Sequence, residues 1–206
     1  RGNIKVLLYL AAVLKYRQFQ ASNYIKMKYQ TLIKQLFIVG KSKWFLYFLR
    51  GKIFSFSSFE IVTNLKRTVP NLDYIIDVGA NSGQFSKVAS FHFPNAIMHV
   101  FEPLPNLYPK IEKLFKGKEN ISTYNLALGN ESGTIKFNQN EFGHISSVLN
   151  ISSDNVHYPK GNGLNQIDVE IKTLDSLSLF DGKNKGTSLL KLDVQGYELE
   201  VLKGGE

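Results

Sequence analysis

In Asp73-Tyr74-Ile75-Ile76-Asp77-Val78-Gly79-Ala80-Asn81-Ser82-Gly83 an apolar run passes directly into a turn that contains two glycines. The run predicts a buried strand, and residues 82–92 predict a helix behind the turn. Strand, turn and helix in that order open a parallel sheet with crossover helices. The unit then repeats. Residues 96–101 read as a second strand ended by Glu102-Pro103. A helix over 106–115 follows, with Leu107, Ile111, Leu114 and Phe115 apolar, and a third strand is expected near 121–126. After Gly129 the helices lapse. Residues 133–137 and 167–171 alternate like strands around a polar Gly/Asn/Ser stretch, which reads as an insertion over one sheet edge. Regular α/β order resumes with a short helix over 174–179, a strand over 188–193 and a helix from Tyr197 onward. The expected fold class is α/β, a mostly parallel sheet with helices on both faces.

The 206 residues suffice for one sizeable core, or one domain with an appendage, and 43 % hydrophobic residues exclude a disordered chain. The absence of cysteine excludes a disulfide framework and thiolate chemistry, so a cytoplasmic setting is expected. Charge divides the chain in two. Residues 1–72 hold 13 basic residues against the single acid Glu60, a net +12, whereas residues 73–206 carry −4. Residues 1–70 therefore read as a basic, aromatic-rich helical extension, and residues 71–206 as the main domain. The apolar run at 6–14 is well short of the ~20 residues a spanning helix needs. The extension is expected to pack as a helical cap. Its aromatic and basic faces also suit a membrane surface, giving a membrane-peripheral location, while no recognised module supports nucleic-acid binding. Arg1 is not an initiator, and the helical pattern near Glu206 is still running. The sequence accordingly reads as part of a longer chain whose last strands are missing.

Three constellations carry chemistry. The loop from Gly79 to Gly83 lies beyond the carboxyl end of a strand, where open parallel sheets bind ligands and glycine lets the backbone approach them. Glu102 ends the next strand, about twenty residues on, where a carboxylate can accept hydrogen bonds from ribose hydroxyls. Together they point to a nucleoside ligand, although each alone fits an ordinary turn or surface acid. Asp193 ends the strand expected beside the first. It could orient a substrate hydroxyl, contact a cationic cofactor, share a metal with Glu198, or merely cap the following helix.

The runs DVGANSGQFS (77–86), VFEPLPN (100–106), NLALGNESG (125–133), TLDSL (173–177) and LLKLDVQGYELEVLKGG (189–205) resemble, in order and spacing, the FkbM-type methyltransferases. The resemblance covers roughly residues 73–206 and implies a class I, Rossmann-like methyltransferase fold. It further implies S-adenosylmethionine as cofactor, no haem, flavin or nicotinamide, and O-methyl transfer to a sugar or other hydroxyl-bearing metabolite or glycan; no metal site is expected. By resemblance, Asp77, Gly79, Asn81 and Gly83 surround the methionine part of the cofactor, Glu102 holds its ribose hydroxyls and Ala127 lies near its adenine, with Ala80 and Pro103 also expected to bind the cofactor. Gln195 stands where the family often has Glu. Gly143-His144-Ile145-Ser146-Ser147 falls where the family commonly carries a Ser-Ser pair, which makes His144, with Asp193, a candidate catalytic residue.

Two other readings remain open. An NAD-dependent oxidoreductase shares the glycine loop and strand-end acid, but G-x-G-x-x-G is absent, and the Tyr24/Lys28 pair precedes the loop. A non-catalytic membrane-surface or nucleic-acid adaptor with a vestigial nucleotide pocket would use the basic extension.

Overall fold

The computed structural model describes residues 6–9, 55–140, 164–180 and 186–206. Five strands form an all-parallel sheet: β1 (Val6–Tyr9), β2 (Tyr74–Val78), β3 (Ile97–Phe101), β4 (Ile121–Tyr124) and β8 (Ser188–Leu192), in the spatial order β1-β8-β2-β3-β4. From β2 the chain steps outward through β3 to β4 and later returns to β8 on the other side of β2. The carboxyl ends of β2 and β8 thus flank the point where strand order reverses, the crevice in which such sheets take ligands.

Alternation along the strands builds two cores. Ile75 and Leu189 face α1 (Phe56–Thr68), α2 (Gln84–His92) and α3 (Tyr108–Phe115), joining Phe59, Val62, Val88, Ile111 and Phe115. Ile76, Val78, Leu190 and Leu192 face the opposite way, onto Leu128, Leu179 and Val201. Helix α1 starts at Ser55, whose Oγ accepts the Ser58 N–H at 3.2 Å, and it buries Phe59, Val62 and Leu65 at a spacing of three. Lys66 and Arg67 in its last turn suit the negative end of its dipole.

A second sheet has the order β5-β7-β6, from β5 (Ala127–Leu128), β6 (Gly133–Asn140) and β7 (Leu164–Lys172). β6 and β7, both expected as strands, pair antiparallel, and Phe137, Val169 and Ile171 form a third cluster with Leu104, Leu107 and Ala127. The insertion therefore has its own core against the ends of the main sheet.

Some expectations need correction. Val6–Tyr9 is a strand in register with Ser188 to Lys191, not helix, because a short apolar run does not distinguish a buried strand from a helix. In the expected helical extension, Phe56–Thr68 is helical, and the rest of residues 1–54 lies outside the described residues. Residues 174–179 contain only the 3-10 turn Asp175–Leu177. The final helix, α4 (Glu198–Lys203), stops before Gly204, whose N–H bonds to the Glu200 carbonyl, so it is not running at Glu206. The two-residue strand β5 was not expected. No helix among the described residues is long and apolar enough to cross a membrane.

Candidate functional site

Strand register decides what meets at the switch point. Asp77 on β2 is paired with Lys191 on β8, and both side chains project onto the α1/α2 face. The Lys191 ammonium lies 2.7 Å from Asp77 Oδ1, while Asp77 Oδ2 accepts from Ser86 Oγ of α2 at 2.5 Å. Asp77 is wholly buried and Lys191 nearly so. A buried charge is tolerated only when paired and hydrogen-bonded, and here each ion satisfies the other. Lys191 also reaches the Gly79 carbonyl at 3.4 Å and lies 3.8 Å from Asp193 Oδ2.

Above this pair the chain turns sharply. Gly79, Asn81 and Gly83 have φ of 76°, 54° and 77°, left-handed values that favour glycine or asparagine. The N–H groups of Gly79 and Ala80 both donate to the Phe101 carbonyl, at 3.1 and 2.9 Å, and the Asp193 N–H donates to Val78 O at 3.0 Å. Three strand ends are thereby tied together. A Cβ on Gly79 would stand closer than 3.0 Å to the Asp193 carbonyl oxygen, so this crossing has room only for glycine.

Glu102 completes the arrangement. Its Oε2 accepts the Asn81 N–H at 2.6 Å and its Oε1 the Leu104 N–H at 3.0 Å. The side-chain amide of Asn125 donates to the Glu102 and Pro103 carbonyls at 2.9 and 3.1 Å, fixing the backbone that carries the acid. Burial pushes the Glu102 carboxyl up to about 7, against the two backbone N–H donors, which favour the ionised form. A buried acid so raised has lone pairs left for further hydroxyl donors, and such donors would favour its ionised form.

Gly79, Asn81, Glu102, Pro103, Ala127 and Asp193 line one open cleft of about 710 Å³, counting its mouth. Its apolar lining includes Leu104, Leu107 and Phe137, which cluster with Ala127 beside the Leu104 N–H that Glu102 holds, and Leu126. A second cavity shares Gly79, Asn81 and Asp193 and continues past Ala80 to Lys191, Gln84 and the N-terminal serines of α1. Asp77 and Gly83 line neither. Asp77 sits beneath the loop, and Gly83 precedes α2 with Leu114 packed against it. Asp193 is half exposed at the border of both cavities and does not cap α4, whose N-terminal cap is Tyr197. Glu198 accepts the Gly196 N–H at 3.1 Å, and no group of three potential metal ligands occurs among the described residues. His144 lies outside the described residues.

Sequence reasoning did not single out Lys191, Phe137 or Leu107. Lys191 had a signal, a lone cation within the otherwise apolar Leu189-Leu190-Lys191-Leu192. Phe137 and Leu107 had none, because apolar residues in a strand and a helix read as ordinary core.

Residues 77–206 match the methyltransferase FkbM domain. The chain belongs to this FkbM family. Among curated relatives, this FkbM-family chain is 30 % identical over 180 residues to "Methyltransferase sdnD" of Sordaria araneosa, covering 76 % of this chain and 68 % of that one. It is 26 % identical over 147 residues to "Hexuronic acid methyltransferase AglP" of Haloferax volcanii, covering 70 % and 55 %. With "Methyltransferase 1" of Beauveria bassiana the identity is 23 % over 148 residues, covering 66 % and 59 %. The FkbM chain thus spans between about half and two thirds of these relatives. Among solved structures it is similar to the crystal structure of methyltransferase FkbM from Methylobacillus flagellatus KT, with a TM-score of 0.42 and 14 % identity over 65 % of this chain and 28 % of that one.

Proposed function

We propose that this chain is an S-adenosylmethionine-dependent methyltransferase acting on a hydroxyl group of a sugar-type acceptor. The observation that carries the reading is Glu102, a buried carboxyl at the end of β3, held by two backbone N–H groups beside the glycine turn and facing the cleft. Its remaining lone pairs suit vicinal ribose hydroxyls, and the apolar end at Leu104, Leu107, Ala127 and Phe137 suits a purine. The residues therefore fit an adenosyl ligand. When bound, S-adenosylmethionine supplies an electrophilic methyl group.

What the chain supplies is binding, orientation and a proton acceptor. The tied strand ends hold the loop rigid, which favours alignment, a contribution of about 7–11 kcal/mol where reacting groups are held near attack. Asp193, at the border of the two cavities, is placed to accept a hydrogen bond from an acceptor hydroxyl and to take its proton, worth ~10²–10⁴ in rate. His144 is proposed as a second such group. The hexuronic acid relative favours a sugar acceptor, and the family membership favours transfer over the adaptor and oxidoreductase readings.

Calorimetric titration with S-adenosylmethionine, S-adenosylhomocysteine and NAD tests the cofactor, and a panel of free sugars and uronic acids with labelled S-adenosylmethionine tests transfer. Binding of both adenosyl ligands without NAD is expected, and binding of NAD alone would sink the proposal. The titration should also depend on pH. Ribose hydroxyls donate to the ionised form of Glu102, so binding expels the proton that the free protein holds below about 7. Affinity for S-adenosylhomocysteine should accordingly rise between pH 6 and pH 8, by up to about tenfold, and level off above. A flat profile would show that Glu102 does not change protonation on binding.

A further inference from the structure

Of the ionisable groups at the two cavities, one pair cancels and the two acids sit at different places along the loop. Among the described lining residues they are Glu102, Tyr197, Lys191 and Asp193. Lys191 carries the positive charge, but its ammonium is 2.7 Å from Asp77, and that pair is neutral as a unit. Asp193 is 3.8 Å from the same ammonium, beyond hydrogen-bond reach, and half exposed. Glu102 is committed to Asn81 and Leu104 at the ribose end. A fixed negative charge therefore remains at Asp193.

The order of residues along the loop gives this charge a target. Glu102 touches Asn81, Asn81 follows Gly79 by two residues, and Gly79 backs onto Asp193. Because the apolar end beyond Glu102 suits the purine, the opposite, charged end of an adenosyl ligand points toward Gly79 and Asp193. We infer that Asp193 is the specificity residue that separates donor from product, its carboxylate favouring the cationic sulfonium of S-adenosylmethionine over the neutral thioether of S-adenosylhomocysteine. This rests on the cofactor proposed above. The two ligands share their adenine, ribose and amino-acid parts, so Glu102 and the apolar wall contribute equally to both, and their affinity ratio isolates the charge.

Calorimetry of the whole chain with each ligand, at one pH and one low salt concentration, provides the test. In Asp193→Asn the preference for S-adenosylmethionine over S-adenosylhomocysteine should fall by ~3- to 10-fold, the scale of a partly screened charge a few ångströms away. The loss should fall on S-adenosylmethionine. Asp168→Asn, the same change at an exposed acid of β7 that lines neither cavity, is the control, and its preference should stay within about twofold of wild type. An unchanged preference in Asp193→Asn, or equal weakening of both ligands, would overturn the inference. So would a shift in Asp168→Asn as large as that of Asp193→Asn. If neither ligand binds the wild type, the cofactor proposal itself fails, a result distinct from binding without charge preference.

Discussion

Replacing Gly79 by valine is expected to cost the chain about 4–5 kcal/mol of stability. Two costs add. The residue sits at φ 76°, where an L side chain costs roughly 1–2 kcal/mol, and more if β-branched. The second cost is larger, because the new Cβ would meet backbone: the Asp193 carbonyl oxygen closer than 3.0 Å, and the carbonyl carbon at 3.0 Å. That carbonyl cannot move freely, since the Asp193 N–H is tied to Val78 and the Gly79 N–H to Phe101. Relief requires parting β2 from β8 or from β3 at the ends that form the cleft. A total of about 4–5 kcal/mol lies at the severe end of single substitutions, and at this chain length it corresponds to roughly 10–20 °C in Tm. Gly117→Ala is the internal control. Gly117 has φ 79° but nothing within 4 Å of its missing Cβ, so it should lose only the conformational cost, about 1 kcal/mol. Thermal unfolding of both variants checks this. Equal losses would mean that the close approach to Asp193 is not limiting.

Glu102→Ala should abolish measurable binding of both adenosyl ligands while leaving a folded chain. A carboxylate accepting two ribose hydroxyls contributes two charge-assisted hydrogen bonds, each about 1.5–3 kcal/mol, so the expected loss is ~10²–10⁴-fold. The folding cost is moderated by two opposing changes. The Asn81 and Leu104 N–H groups lose their acceptor, but a carboxyl whose ionisation is opposed by burial is removed as well. Above pH 7 the second change offsets much of the first. In the free protein the raised Glu102 favours folding at low pH and loses that contribution as pH rises through about 7. The Tm gap between wild type and Glu102→Ala should therefore be narrower at pH 8 than at pH 5. Calorimetric affinity within threefold of wild type would remove Glu102 from the binding site.

The glycine turn and Glu102 are legible in the sequence because each follows a run apolar enough to be read as a buried strand. A residue at the end of a parallel strand has its location fixed by topology alone. Asp193 is legible for the same reason. Lys191 is harder, since its meaning depends on a register between β2 and β8 across 114 residues, and periodicity carries no register. Phe137 and Leu107 become cleft walls only through the packing of the second sheet on the ends of the first, a contact between segments that each read as ordinary core. The strand at Val6–Tyr9 escapes because four apolar residues satisfy both helical and extended patterns.

The pairing of Asp77 with Lys191 also sets an order of events during synthesis. At about 5–20 residues per second, the ammonium follows the carboxylate off the ribosome by roughly 6–23 s, given their separation of 114 positions. By the end of that interval α1, β2, α2, β3, α3 and β4 are all present, yet the edge of β2 that pairs with β8 is open and its buried acid lacks a cation. The late arrival of β8 closes the edge, neutralises the acid and brings Asp193 against Gly79 in a single docking step. Loop closure over so long a separation is slow, so the nascent chain passes through a state with an unprotected strand edge, the species on which chaperones act. Closure of the crossing at Gly79 and protection from edge-to-edge aggregation are thus acquired together, through β8 and the residue that follows it.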